Sequence, residues 1–403
     1  MPRCGSSEAI GKPLLPAGGG EKQKAFRSGA GNAALRLVRS NFETAGGETV
    51  DFSKIVQPLL RWYAGHARVL PWRNDPTPYR VWISEIMLQQ TRVETVIPYF
   101  ERFMRELPDV RALAAAPEER LLKLWEGLGY YGRVRNLRRA AAAVVEQHGG
   151  ALPRSAAELR RLPGIGEYTA GAISSIAYGL PEPAVDGNVL RVASRLAASR
   201  ENTADPACRR RLREDLRKVY PPGEAAAFTQ SLMELGATVC LPNGAPLCDR
   251  CPLADLCEGR RTGQAEVLPV RRPRPKRRVQ RRTVFLLLQG RRAAVRRRPA
   301  TGLLAGMWEF PSVTGTLPPA RAARVLEQWG LSPARVRPLP GAKHVFTHVE
   351  WHMAGYLAEV TVAVPEFTWV EPEALLRSYA IPTAFRAYLQ ILEELDGEGR
   401  KRL

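Results

Sequence analysis

From Asp51 to about Ala254, apolar residues recur by threes and fours. In RVWISEIMLQQTRVETVIPYFERFMREL, Ile83, Ile86, Met87, Val93, Val96 and Ile97 follow that spacing, which predicts helices with one buried face. The breaks PW, PP and GLGYYG separate one helix from the next. Beyond residue 282 the period shortens. TVFLLLQG, AAVRRR, MWEFPSV and KHVFTHVEWHMAGYLAEVTVAV read as short strands, and AFRAYLQILEELDG reads as a helix. Residues 1–50 are rich in Gly, Ser and Ala without sustained periodicity, so they read as a disordered extension; Glu8 and Glu21 count against a transit peptide. The predicted order is therefore an extension (1–50), a mostly α-helical domain (51–262), a linker (263–282), an α+β domain (283–396) and a short tail (397–403). No internal repeat interrupts this order.

Charge narrows the choice of partner. The 403 residues include 60 Lys and Arg against 40 Asp and Glu, a formal net charge of +20. Such an excess points to a polyanion, nucleic acid first and an anionic membrane second. Val270 to Arg282, VRRPRPKRRVQRR, holds eight basic residues and no acid, and its prolines predict an extended linker able to lie along phosphates or simply to be solvated. No apolar run is long enough to span a bilayer, and the N-terminus lacks a signal peptide's apolar centre. The expectation is a monomeric intracellular protein with no membrane association, in the cytoplasm near the nucleoid if bacterial, nuclear or mitochondrial if eukaryotic.

Three stretches carry candidate chemistry. In LPGIGEYTAG, Gly164 and Gly166 permit tight backbone angles, and the following helix's first amides could face an anion; an ordinary helix-turn-helix loop would look the same. Glu85 lies among Ile83, Ile86 and Met87, so on an inward face it would be desolvated and act as a general acid, whereas on an outward face it is an ordinary polar residue. Asp186 precedes GNVLRVASRL and reads as a helix N-cap, a role compatible with catalysis. The third stretch holds Cys240, Cys248, Cys251 and Cys257, separated by seven, two and five residues. One Cys-x-x-Cys knuckle with two outlying thiols suits an iron-sulfur ligand set better than a zinc ribbon, with zinc as the alternative.

LPGIG resembles the helix-hairpin-helix of the endonuclease III superfamily of DNA glycosylases, and AVDGNVLRV resembles the aspartate segment that follows it there. Members that also cleave the strand carry a lysine at the second position after the hairpin. Here that position is Tyr168, which cannot form a Schiff base. VWISEIMLQQTRVETVIPYF and WEGLGYYGRVRNL are similar to the adenine DNA glycosylase branch (MutY type), whose substrate is double-stranded DNA containing adenine mispaired with 8-oxoguanine. The resemblance implies hydrolytic removal of adenine, leaving an abasic site. It gives Glu85 the proton for the base, Asp186 the cationic sugar, and Tyr168 and Asn188 the orientation of that pair. By the same likeness Gln90 and Tyr130 enter the duplex with Thr91 and Leu128 beside them, Gly164 and Gly166 approach the DNA backbone, and Trp72 and Arg73 line an adenine pocket. For Trp72 and Tyr130 the plain alternative is aromatic core. The four cysteines would hold one 4Fe-4S cluster, although the family's first gap is six residues rather than seven.

TGLLAGMWEFPSV resembles the start of the family's Nudix-like C-terminal domain. The corresponding helix, PARAARVLEQWGL, offers only Glu327 where a Nudix hydrolase needs several carboxylates for magnesium, so this domain is expected to bind rather than hydrolyse. Phe346, Thr347 and His348 stand where the family's Phe-Ser-His loop reads 8-oxoguanine. His344, His348 and His352 recur every four residues; in one extended run they would lie about 13 Å apart and share no ion. The linker is the expected docking place for other repair proteins. Two rival readings stay open: a thymine or uracil mismatch glycosylase, and a non-catalytic iron-sulfur DNA-binding protein.

Overall fold

The computed structural model describes residues 50–270, 276–333 and 335–400. The predicted extension lies outside them except for Val50. Helices run in the order α1 (Ser53–His66), α2 (Pro78–Leu88), α3 (Val93–Glu106), α4 (Val110–Ala115), α5 (Glu118–Leu124), α6 (Gly132–His148), α7 (Ala156–Leu159), α8 (Glu167–Ala172), α9 (Gly187–Leu196), α10 (Pro206–Lys218), α11 (Ala225–Thr238) and α12 (Glu258–Arg261). They form two lobes. Helices α2 to α8 pack around Trp82, Phe100, Phe103 and Trp125, while α1 and α9 to α11 pack around Leu59, Leu212 and Phe228. Local chemistry starts these helices where they are needed: Thr77 accepts from the Arg80 amide at 3.4 Å with Pro78 at the first turn of α2, and Asp186 caps α9. The helical run through Glu106 is interrupted at Gln89–Arg92, where Gln90 adopts φ +59°.

The second domain is a mixed sheet between helices. Its elements are β1 (Arg278–Gln289), β2 (Arg292–Arg297), β3 (Trp308–Glu309), β4 (Ser312–Thr314), α13 (Pro319–Gln328), β5 (Arg335–Val345), β6 (Val349–Glu359), β7 (Thr368–Val370), α14 (Pro372–Ser378) and α15 (Arg386–Arg400). The main order is β3-β2-β1-β6-β5, with β1 and β6 parallel. Val284 and Leu286 face Phe385 and Tyr388 near α15, while Phe285 and Leu287 face Ala322 and Leu326 of α13. Burial on both faces explains why VFLLL is apolar without alternation.

Several expectations change. Residues 278–282, read as linker, begin β1, because their backbone pairs with β6. Leu268 is buried and its carbonyl accepts from Arg195 at 2.9 Å, so the linker's first part lies on the helical domain; residues 271–275 are outside the described residues. The predicted tail begins inside α15, which runs to Arg400. β5 starts eight residues before the strand read from Lys343, since an edge strand tolerates Pro338 and Pro340. The three histidines do not share one extended run. Residues 346–348 turn back, and Lys343 pairs with His352 and His344 with Trp351, which puts His344 and His352 on opposite faces of the hairpin. Their separation comes from alternation across a hairpin, not from distance along one strand.

The two domains interlock. Met307 is fully buried within the helical domain's first lobe, beside Ala380. Glu126 accepts from the Ile381 amide at 2.7 Å, and Lys123 donates to the Tyr379 carbonyl at 3.1 Å. The turn at 346–348 of the second domain lines the cleft between the lobes.

Candidate active site between the lobes

Glu85 projects from α2 of one lobe and Asp186 from the start of α9 of the other. Both line a single cleft of about 1400 Å³, together with Tyr168, Asn188, Trp72 and Arg73. Glu85 is only 6% exposed, so the inward reading holds. Burial raises its carboxyl to about 7; the Tyr168 hydroxyl, which donates to Oε2, works in the opposite direction, and the Asp186 charge adds to the rise. Tyr168 itself stays protonated, because burial and the two neighbouring carboxylates push its phenol far up.

Asp186 caps α9 and at the same time lines the cleft. Its Oδ1 accepts from the amides of Asn188 at 2.9 Å and Val189 at 2.8 Å, and its Oδ2 accepts from Asn188 Nδ2 at 2.7 Å. Burial is the largest influence and leaves the carboxyl above its ordinary value, while these three hydrogen bonds and the Arg191 charge offset part of the rise in favour of the anion. Arg191 fixes the amide in turn, donating to Asn188 Oδ1 at 2.9 Å and to the Gly236 carbonyl at 2.6 Å. A Cβ on Gly236 would stand 2.5 Å from that of Asn188, so the glycine is required by the close approach of α11 to α9.

Arg73 points to an interaction that the sequence reading missed. It donates to Glu234 Oε2 at 2.7 Å, while Arg68 Nε donates to Oε1 at 2.6 Å, and all three line the cleft. Burial alone would raise Glu234, but the two guanidinium groups outweigh it and hold the carboxyl at about 2. The signal was available: Glu234 in SLMELGATVC is an acid among apolar neighbours, like Glu85. Trp72 is buried edge-on to Phe100 at 5.5 Å and also lines the cleft, so it belongs to the core and to the cleft wall together.

Gln90, Thr91 and Tyr130 line the cleft, as do Phe346, Thr347 and His348 of the second domain. Tyr130, with φ +50°, is 48% exposed, and its hydroxyl lies 2.8 Å from Thr347 Oγ1. Leu128 is different. It is 5% exposed and belongs to the core, where its apolar side chain is drawn away from water. Gly164 adopts φ +78°, but Gly166 has φ −92°, an ordinary value, and a Cβ there would meet nothing within 4 Å. Its lack of a side chain is not a requirement of the hairpin's own geometry.

The four cysteines line a separate small space with Arg195, whose Nη1 donates to Cys240 Sγ at 3.3 Å. A buried cation aimed at sulfur suits thiolate donors.

Comparison with known proteins matches both domains to known families. Residues 83–218 match the model of the HhH-GPD superfamily of base excision DNA repair proteins, and residues 283–390 match the NUDIX domain model. The chain is 35% identical to the adenine DNA glycosylase of Mus musculus across 86% of its own length and 79% of the relative's. It is 35% identical to that of Homo sapiens, across 83% and 73%, and 39% identical to that of Arabidopsis thaliana, across 64% and 47%. On these matches the chain belongs to the adenine DNA glycosylase family.

Proposed function

We propose that this protein removes adenine mispaired with 8-oxoguanine, or with guanine, from double-stranded DNA and leaves an abasic site. The observation that carries the reading is the meeting of Glu85 and Asp186 in one cleft, the first with its carboxyl raised to about 7 and the second held by Asn188 and two helix amides. Glu85, protonated near neutral pH, donates to the ring of the extruded adenine and makes it a better leaving group. Asp186, ionised, faces the positive charge that develops on the sugar, and water completes the hydrolysis. Tyr168 offers no amine, so no lyase step follows. Trp72, Arg73 and Glu234 supply an apolar face and paired polar groups for a planar base. In this reading the Thr347 hydroxyl, which lines the cleft beside that of Tyr130, reads the oxidised purine, and Gln90 and Tyr130 fill the space that the adenine leaves.

Cys240, Cys248, Cys251 and Cys257 would hold one 4Fe-4S cluster. One Cys-x-x-Cys knuckle with two outlying thiols, all four lining one space with Arg195, supports a polynuclear group over a zinc ribbon. Bound there, such a cluster would tie the 240–257 loop together beside α9, from which Arg195 donates to Cys240 Sγ. Repair proteins would dock on the basic linker.

The test uses duplexes carrying adenine opposite 8-oxoguanine, with thymine or uracil opposite guanine for comparison. The adenine strand should break only after hot alkali. Glu85→Gln should slow single-turnover release by about 10²–10⁴-fold, and Asp186→Asn should also abolish most of it. Release of thymine instead, strand cleavage without alkali, or adenine release that persists in both variants would refute the assignment.

A further inference from the structure

Arg133, at the start of α6, makes an unusual set of bonds. Its Nη1 donates to the carbonyls of Ile86 at 2.8 Å, Met87 at 2.9 Å and Gln89 at 2.8 Å; its Nη2 donates to those of Leu128 at 3.0 Å and Gly129 at 3.1 Å. The guanidinium also lies 5.3 Å from the Trp125 ring centre and 5.5 Å from that of Tyr130. Among the described residues no carboxylate pairs with it, and burial lowers it to about 10. One side chain thus closes the open carbonyl end of α2 and the turn at 128–130, two segments far apart in sequence.

Each of those segments carries one residue in the left-handed region, Gln90 at φ +59° and Tyr130 at φ +50°. Such angles are strained for residues with side chains and persist only where surrounding structure imposes them. Both side chains face the cleft from loops that otherwise belong to different helices. A planar fork with several N–H groups is suited to holding many carbonyls at fixed angles; an ammonium is not.

We propose that Arg133 is a positioning residue that holds the 89–91 and 128–130 segments in register, so that Gln90 and Tyr130 enter the duplex together and the adenine is extruded. This rests on the reading that those two residues enter DNA. Arg133 touches neither Glu85 nor Asp186, and the groups that set the Glu85 carboxyl are Tyr168, Asp186 and Arg73. Its action is therefore confined to extrusion and leaves proton donation as it is.

The full chain is tested as Arg133→Lys and Arg133→Gln, with Gln90→Ala and Tyr130→Ala as references. Extrusion is read by the fluorescence of 2-aminopurine placed at the adenine position opposite 8-oxoguanine, and single-turnover adenine release is followed across pH. Both Arg133 variants should lose at least tenfold in release and most of the fluorescence rise, with the pH midpoint of release unmoved. A loss accompanied by a shifted midpoint, or no loss in either variant, overturns the proposal. If Gln90→Ala and Tyr130→Ala leave extrusion intact, the underlying reading fails; if they impair it while Arg133→Lys and Arg133→Gln do not, only the role of Arg133 fails. Should neither Arg133 variant fold, hydrogen exchange in the unaltered protein decides: the Thr91 and Leu128 amides should gain protection together on binding the duplex, and independent changes would overturn the proposal.

Discussion

Glu85 titrates where a catalyst of neutral solution is useful, and the direction of each influence on it gives a test at the level of one atom. Burial favours the neutral acid, and the hydrogen bond from Tyr168 favours the anion. The acid is present below about 7 and is lost as pH rises through that value. Tyr168→Phe removes the bond that favours the anion, so the carboxyl should rise further. The alkaline limb of single-turnover release should move to higher pH in Tyr168→Phe, with a plateau within about tenfold of the unaltered protein. A midpoint that stays or falls would mean that the phenol does not set this proton. The same residues show what a sequence can disclose. A lone acid among apolar neighbours announced Glu85, and the position before a helix announced the cap at Asp186. The chain could not disclose that Asn188 is itself held by Arg191 and by the narrow space at Gly236, because those contacts join residues far apart in sequence.

At the level of elements, the hairpin glycines separate two reasons for lacking a side chain. Gly164 needs its freedom for the fold: φ is +78°, and an added Cβ would stand 2.6 Å from that of Asn136. Gly164→Ala should cost about 1–2 kcal/mol or more and lower Tm. Gly166 has φ −92° and open space around it, so Gly166→Ala should leave Tm unchanged or raise stability by about 0.4–1 kcal/mol, because alanine restricts the unfolded chain. If the DNA backbone approaches there, that same variant should bind duplex more weakly despite its stability. Calorimetry and a binding titration on both variants check the pair; equal melting losses would reject the distinction. Period-3.6 and period-2 patterns made the helices and the inner strands legible before any coordinates. The reversal at 346–348 and the edge strand β5 were not legible, since two prolines masked the strand and no Asn-Gly or Gly-Gly pair marked the turn.

Across the whole molecule, charge becomes informative only once it has a place. The sum of +20 suggested nucleic acid without saying which surface meets it. The cleft between the lobes and the second domain is lined by Lys276 and Arg277 at the linker's far end, beside the 346–348 turn. Arg277 gives its Nε–H to the Phe346 carbonyl at 3.1 Å and is itself part of the cleft lining. Each phosphate neutralised contributes ~0.9 to the slope of log affinity against log salt. Lys276→Ala combined with Arg277→Ala should therefore reduce that slope by about 1.8, and the weakening should appear on any duplex sequence. Arg321→Ala combined with Arg324→Ala serves as the control, because it removes the same charge from α13, where neither residue lines the cleft, and should leave the slope unchanged. Binding measured from low to moderate salt distinguishes the outcomes. An unchanged slope in the double variant would place the phosphates elsewhere, while equal changes in the double variant and the control would mean that the protein's total charge, and not this cleft, governs association.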